Sequence, residues 1–258
     1  MTATDRFAGK AAWFDDHYAS VRGRVRRDLV LERLRALLPP APVRVLDVGG
    51  GTGAFAVPLA ADGHRVTLVD PSAEWLDRAR ANASDAGVQL SLLQLGLDDM
   101  ADAGIGSFEV ILCHTVLMYV DAPAVGLRAL RQLAAPGGLL SLLEKNRDGL
   151  ALRPALRGDY DEARRLLSER DSSGGLGVTN RAYTVPEWLA MLDDAGWEPI
   201  DWAGVRLFSD HAPDDLPPDE YTSLLDLERD AGVLDPYRGL ARLVHLTARA
   251  RLDDPEET

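Results

Sequence analysis

Residues 43–53 read Val-Arg-Val-Leu-Asp-Val-Gly-Gly-Gly-Thr-Gly, and this stretch decides the fold class. The apolar run at 43–48 is typical of a strand that is buried in a sheet. The glycines that follow allow a tight turn and a close approach of the backbone to a ligand, beside the start of a helix. The stretch therefore predicts a strand, a ligand-binding turn and a helix.

Strands and helices alternate on both sides of this stretch. Apolar periodicity predicts strands at 65–70, 88–93, 108–114 and 138–143, and helices at 21–38, 54–61, from 71 and at 123–133. Because helices separate the strands, we expect right-handed crossovers and a mainly parallel sheet.

The alternation stops after Glu144. Residues 146–180 are polar and rich in arginine, which indicates a helical insertion and a loop. Beyond them the pattern predicts a helix at 186–195, an extended segment at 197–208, a helix from 217 and a last strand at 240–248.

The chain is acidic. Its 258 residues include 28 Lys and Arg against 41 Asp and Glu, a formal net charge of −13. Such a chain repels polyanions, which argues against broad electrostatic binding of nucleic acid.

The single cysteine, Cys113, excludes an intramolecular disulfide framework and agrees with a reducing cytoplasm; we expect it to be a small buried hydrophobe. No apolar run approaches the roughly 20 residues of a membrane-spanning helix, and residues 1–10 lack a signal-peptide pattern, so we expect a cytoplasmic protein.

Acidic residues distinguish between the cofactors that such a glycine turn could bind. Asp70 ends the second predicted strand, where a carboxylate accepts both hydroxyls of an adenosine ribose. Asp98 and Asp99 follow the third strand, where an acid can accept an adenine amino group. Asp47 precedes the glycines, where it would repel a pyrophosphate but suits the ammonium of an amino acid. The alternatives are a helix cap for Asp70 ahead of Pro71 and a plain loop acid for Asp99.

An acid before a glycine-rich turn, a second-strand acid and a later Pro136-Gly137-Gly138 turn occur together in this chain. In this combination it resembles the class I S-adenosylmethionine-dependent methyltransferases, over about residues 43–145. The resemblance implies a Rossmann-like α/β fold, with a mainly parallel seven-stranded sheet flanked by helices and an antiparallel C-terminal strand. It also implies S-adenosylmethionine as the cofactor.

A narrower resemblance covers most of the chain. The stretches at 44–53, 63–66, 113–117, 204–208 and 237–249 look like the bacterial methyltransferases that esterify the carboxylate of 5-carboxymethoxyuridine, a modified tRNA wobble base. That match implies that Arg26 reaches the carboxylate of the cofactor. The predicted cofactor-binding residues are Arg26, Asp47, Gly49, Gly50, Gly51, Gly53, Asp70, Pro71, Leu97, Asp98 and His114.

Two departures from this family bear on the acceptor. Residues 164–175 carry interleaved acids where the family has a lysine-rich run, and Glu144-Lys145 replace an aromatic pair ahead of Asn146. Both weaken the case for binding tRNA, since phosphate neutralisation is the main source of such affinity. We therefore favour a small-molecule acceptor, with a carboxylate as one candidate group, over tRNA, and expect neither DNA nor a membrane as a partner.

Four side chains are candidates for the chemistry at the acceptor. His114 ends the fourth strand, at the edge where a parallel sheet presents residues to a ligand, and is our candidate catalytic base; the alternative is a hydrogen-bonded core histidine. Arg206 lies in an apolar strand and pairs either with a substrate carboxylate or with a structural acid. Tyr18 and Tyr119 line an acceptor pocket or simply pack. No metal-ligand spacing occurs in the sequence, so we expect no metal.

The sequence thus favours methyl transfer from S-adenosylmethionine to an oxygen or nitrogen acceptor by in-line displacement. The rivals are an NAD-dependent oxidoreductase and a cofactor-binding protein without catalysis. We expect one methyltransferase domain over 1–258. Its predicted parts are an N-terminal helical lid at 1–40, the cofactor-binding core at 43–145, the insertion at 146–180, the C-terminal part of the sheet with an acceptor cap at 181–250, and an acidic tail at 251–258.

Overall fold

A computed structural model describes residues 9–39, 42–173 and 177–252, and most of the predicted acidic tail lies outside these ranges. The helices are α1 Ala11–Ala19, α2 Val21–Leu37, α3 Ala56–Ala61, α4 Ala73–Asp85, α5 Pro123–Gln132, α6 Leu152–Leu156, α7 Tyr160–Leu166, α8 Val185–Asp194, α9 Pro218–Ala231 and α10 Tyr237–Leu240. The strands are β1 Arg44–Val48, β2 Arg65–Val69, β3 Ser91–Leu93, β4 Phe108–His114, β5 Ala134–Lys145, β6 Asp171–Ser173, β7 Thr179–Arg181, β8 Trp197–Val205 and β9 Leu243–Ala250. Within the described ranges, no helix is long and apolar enough to cross a membrane.

Seven of the strands form one sheet in the order β3-β2-β1-β4-β5-β9-β8. The pairs β1–β2, β1–β4 and β2–β3 are parallel. This mostly parallel sheet, with an antiparallel strand and flanking helices, confirms the predicted class I Rossmann-like fold. The strand order reverses between β1 and β4, and ligands of open α/β sheets bind outside the carboxyl ends of the strands at such a reversal.

The chain divides into two compact units. The first comprises residues 1–38, 143–187 and 202–245, and the second residues 39–142, 188–201 and 246–258. In the second unit β1, β2 and β4 carry fully buried aliphatic side chains, such as Leu46, Leu68 and Ile111. The first unit holds α1, α2, β6 and β7, and one of its apolar clusters joins Leu207, Ala231 and Ala241.

The insertion contains more regular structure than the sequence predicts. Besides α6 and α7, β6 and β7 pair in an antiparallel way, with Ser172 opposite Asn180, and we call this pair the β6–β7 hairpin. Arg181 Nε donates to Asp171 Oδ1 across the hairpin at 2.8 Å. The polar strands of this hairpin show no apolar alternation, so periodicity could not reveal them.

Element boundaries also differ at three places. α1 begins at Ala11, in a stretch with little apolar pattern, and the last strand begins at Leu243 because residues 237–240 form α10. The predicted turn at Pro136-Gly137-Gly138 lies inside β5, where Gly137 has φ +68°. A glycine in the left-handed region lets a strand bend without ending.

Glu228 fixes the segment that follows Arg206. Its side chain is buried, and its carboxylate accepts the backbone N–H groups of Leu207, Phe208 and Ser209 at 2.9, 2.9 and 2.7 Å. Arg206 itself has φ +66°, a backbone conformation that is strained for a residue with a side chain. The three hydrogen bonds hold this turn in place.

Replacement of Glu228 by alanine leaves three donors without their acceptor. We expect Glu228→Ala to lower the free energy of unfolding by at least about 3 kcal/mol, because each hydrogen bond to a charged group contributes roughly 1.5–3 kcal/mol. Urea denaturation followed by circular dichroism measures this change. The matched control is Asp226→Ala on the same helix, which breaks an exposed ion pair with Arg229 and should change stability by less than about 1 kcal/mol. Equal losses of stability in the two variants would contradict the stabilising role of the Glu228 hydrogen bonds.

Candidate functional site

The glycine loop after β1 takes a backbone path that side chains disfavour. Gly49, Gly51 and Gly53 have φ of +62°, +56° and +84°. A Cβ on Gly50 would lie 2.6 Å from Leu68 Cγ and 2.9 Å from Cγ of the buried Asp47. The four predicted glycines are therefore required by the turn, and the loop leaves its backbone open to a ligand.

Asp70 is held at the end of β2 by backbone donors. Gly51 N donates to Asp70 Oδ2 at 3.1 Å, and Ser72 N donates to Oδ1 at 2.9 Å. Burial raises the pKa of Asp70 to about 6, against the lowering effect of these two hydrogen bonds. Since each carboxylate oxygen can accept more than one hydrogen bond, both oxygens can still receive a hydroxyl.

This donor and acceptor set fits S-adenosylmethionine. Asp70 provides the paired acceptors that a ribose needs, and the glycine loop provides close backbone approach. Pro71 and Leu97 are half-buried, and Asp98 is exposed in a short 3₁₀ turn at Leu97–Asp99. All of these residues belong to the second unit, and their contact with the cofactor stays a prediction.

His114 ends β4 with a defined set of neighbours. Its Nε2 lies 2.9 Å from Ser141 Oγ, and its ring meets Phe55 edge-on with centroids 4.5 Å apart. The side chain is 6% exposed. These contacts agree with the alternative of a hydrogen-bonded histidine near the core, and the base role remains a prediction. Ser141 and Phe55 were not singled out from the sequence; a serine inside an apolar strand was the available signal.

Three other predicted residues lie in the first unit, whereas Tyr119 lies in the second. The Arg26 guanidinium carbon is 5.3 Å from the centroid of the Tyr18 ring, and Arg26 is buried. Arg206 Nε donates to Asp210 Oδ1 at 2.7 Å, so Arg206 has an acid partner within its own chain. These contacts bring Tyr18 and Arg26 together. The roles of these residues toward the cofactor or the acceptor stay predictions.

Burial and neighbouring arginines depress the pKa of His17, a residue that no pattern in the sequence singled out. Burial is the largest cause, and the positive charges of Arg206, Arg26 and Arg22 add to it, so that the pKa falls to about 3. His17 is therefore neutral at physiological pH, and most of the charges that act on it belong to arginines.

Four cations lie around one acid: three of them at the ends of β5, β8 and β9, and the fourth in α6. We call Lys145, Arg153, Arg206 and Arg242 the cationic cluster; their charges act on one another and on Asp210. Burial alone would raise the pKa of Asp210, but Arg206 and Arg153 together hold it below its ordinary value. The spacing of Arg206 and Asp210, four residues apart, was the signal in the sequence for this pair.

Comparisons with known proteins identify the family of this chain. A family model described as a methyltransferase domain matches residues 45–138. The tRNA 5-carboxymethoxyuridine methyltransferase of Escherichia coli K12 is 31% identical over 245 residues, 90% of each chain. The chain belongs to the S-adenosylmethionine-dependent methyltransferases. A ubiquinone biosynthesis O-methyltransferase of Xanthomonas axonopodis pv. citri is 34% identical over 163 residues, 63% of this chain and 68% of that one.

Solved structures show the same fold at low sequence identity. The Haloferax volcanii complex of a Trm112 methyltransferase activator with a methyltransferase gives a TM-score of 0.65 at 18% identity, over 98% of this chain and 99% of that one. Magnesium protoporphyrin IX methyltransferase from Synechocystis PCC 6803, solved with S-adenosylhomocysteine, gives 0.64 at 16% identity, over 95% and 97%. The protein is thus an S-adenosylmethionine-dependent enzyme, whereas its acceptor is not fixed by these relatives.

We expect Asp70→Asn to lose most of the affinity for S-adenosylhomocysteine, since the amide keeps only one acceptor oxygen for two ribose hydroxyls. In the unchanged protein, affinity should be constant above about pH 7 and fall as pH drops through 6, because protonation removes the carboxylate whose pKa is about 6. Isothermal titration calorimetry between pH 5 and 8 measures both effects. Asp85→Asn, an exposed acid of the same unit, is the control and should bind normally. Near-normal affinity in Asp70→Asn would show that another acid holds the ribose.

Proposed function

We propose that this protein methylates a carboxylate: one oxygen of an acidic small molecule receives the methyl group, and the products are a methyl ester and S-adenosylhomocysteine. The carrying observation is the cationic cluster of the first unit, where four cations surround a single acid, Asp210. Buried positive charge is unfavourable without an anion, and a carboxylate supplies one in the bidentate geometry that guanidinium groups prefer.

A carboxylate acceptor requires little of the protein beyond positioning. When bound, S-adenosylmethionine supplies a methyl group that its own sulfonium activates. Carboxylates are ionised at neutral pH, so the acceptor needs no general base. The protein would then act by positioning its two reactants and excluding water. In the second unit Asp70 and the glycine loop would bind the cofactor, and in the first unit arginines of the cluster would bind the acceptor. Cys113, the single cysteine, agrees with a cytoplasmic location for this chemistry.

The modified wobble uridine of tRNA is the second candidate acceptor. It is favoured by the identity of 31% over 90% of both chains with the tRNA 5-carboxymethoxyuridine methyltransferase of Escherichia coli. That candidate shares the carboxylate chemistry, and the two differ in whether an RNA carries it.

Ion pairs within the insertion favour the small molecule. Arg165 pairs with Glu162 and Glu169, so the charge of this arginine is already neutralised. Arg170 pairs with Glu187 at 2.7 Å, and Arg181 with Asp171 at 2.8 Å. Since RNA affinity comes mainly from cations that are free to neutralise phosphates, these pairs reduce what the insertion can offer.

The acceptor can be identified by following a labelled methyl group. The protein is incubated with methyl-labelled S-adenosylmethionine and either total tRNA or a ribonuclease-treated small-metabolite extract, and the product is then exposed to mild base. We expect label in the small-molecule fraction, released by base as methanol, as methyl esters require. Label in tRNA that base releases would support the second candidate. Base-stable label in either fraction would overturn the carboxylate proposal, and Asp70→Ala serves as the inactive control.

A base role for His114 gives a different expectation from a positioning role. For a carboxylate acceptor we expect His114→Gln to lower kcat/KM by less than about tenfold, whereas loss of a general base costs about 10²–10⁴-fold. Ser141→Ala removes the hydroxyl that lies 2.9 Å from His114 Nε2 and should have a similarly small effect. Initial rates across pH 6–9 test this. A loss above 100-fold, together with a changed pH profile in His114→Gln alone, would assign His114 as the base.

A further inference from the structure

Lys145 is a buried cation whose hydrogen-bond partners are neutral. It ends β5 and is 5% exposed. Its Nζ donates to Ser172 Oγ at 2.7 Å and to Asn180 Oδ1, both in the β6–β7 hairpin. An ammonium carries three N–H donors, so these two bonds leave one for a further acceptor.

Backbone hydrogen bonds join the segments that carry three of the cations. Asn146 N, next to Lys145, donates to Arg242 O at 3.1 Å, and Arg242 N donates to Arg206 O at 3.1 Å. Arg153 Nε lies 3.8 Å from Asp210 Oδ2, while Arg206 occupies Asp210 Oδ1. The acid is thus shared by Arg153 and Arg206.

Lys145 and Arg242 are left without a carboxylate. Among the described residues, neither forms an ion pair, and Arg242 Nη1 only donates to Leu150 O at 3.4 Å. Burial is the main cause that lowers the pKa of Lys145 to about 7, followed by the positive charges of Arg242, Arg206 and Arg153; Asp210 opposes them. Burial is also the main cause that lowers the pKa of Arg242 to about 10; the negative charge of Asp210 opposes it, and the positive charges of Arg206 and Arg153 add to the lowering. The two cations therefore have no acid of their own and share the charge of Asp210 with Arg153 and Arg206, which is less counter-charge than four cations in a poorly solvated place need.

We propose that Lys145 and Arg242 form a second anion subsite, so that the acceptor carries two anionic groups, the carboxylate that is methylated and a second carboxylate or phosphate-like group that is not. This inference rests on the proposed function. The second group supplies the missing counter-charge, receives the free N–H of Lys145, and selects dianionic over monoanionic acids.

The subsite has a measurable signature in proton uptake. At pH 8 most Lys145 side chains are neutral when the subsite is empty, because the pKa is about 7. A bound anion favours the charged form and raises the pKa toward its ordinary value. Binding at pH 8 therefore takes up about one proton per site. Because binding takes up a proton, the affinity for the anion should increase as the pH is lowered from 8.

The test uses the full chain and defined probes. Succinate, 3-sulfopropionate and propionate are titrated calorimetrically at pH 8 in buffers of different ionisation enthalpy, which gives affinity and proton uptake together. None of the three probes titrates near pH 8, and the sulfonate stands in for a tetrahedral, phosphate-like group. We expect the two dianions to bind at least about tenfold more tightly than propionate, with uptake of about one proton. The tighter dianion indicates whether the second group is a carboxylate or a phosphate-like group. Propionate binding as tightly as succinate, or dianion binding without proton uptake, would overturn the proposal.

Three variants separate charge from structure. Lys145→Met should lose about tenfold or more in succinate affinity and all proton uptake, while Lys145→Arg should keep the affinity but lose the uptake, because arginine is already charged. Arg164→Met removes an exposed cation of the same unit and should change neither. Should Lys145→Met fail to fold, the Lys145→Arg comparison alone decides. Unchanged affinity and uptake in both Lys145 variants would overturn the subsite even when labelled methyl esters confirm the proposed function, so the two failures are distinguishable.

Discussion

Backbone N–H groups converge on the end of β2, and the predicted cofactor site depends on this convergence. Gly49 N and Gly50 N both donate to Val69 O, and Gly51 N donates to the carboxylate of Asp70. The loop after β1 is therefore tied to the next strand at consecutive positions. The loop residues with positive φ are glycines, which adopt such angles without a steric penalty, so the loop follows this path without strain. The carboxylate is fixed before a ligand arrives, which reduces the ordering that binding must supply.

Buried charge is stabilised in three different ways within the first unit. Glu228 accepts three backbone N–H groups, whereas Asp210 accepts a hydrogen bond from Arg206 and forms a longer ion pair with Arg153. Lys145 has only neutral partners. The first two arrangements hold a turn and need no ligand. The third leaves positive charge in excess, and this excess is the reason for proposing an anion subsite there.

The strands and the glycine loop of the second unit could be predicted closely from the sequence, because each is encoded by residues that are neighbours in the chain. Buried strands give continuous apolar runs, and the glycines and Asp70 lie at fixed positions relative to those runs. The cationic cluster could not be predicted, since Lys145, Arg153, Arg206 and Arg242 are brought together only by the folded chain. The β6–β7 hairpin was missed for a related reason: it is stabilised by polar cross-strand pairs, and these leave no period in the sequence.

Net charge and local charge point to different partners. The chain carries −13 overall, yet buried cations outnumber acids in the cluster. In solution at physiological ionic strength, exposed charges are screened beyond about 8 Å, whereas buried charges are screened much less. A large polyanion meets many surface acids at once and is repelled by them. A small acid is affected mainly by the cations within reach of its own anionic groups. The same charge distribution therefore opposes broad nucleic-acid binding and favours a compact anionic acceptor. The size of the ligand decides whether it is affected more by the net charge of the surface or by the local charge of the cluster.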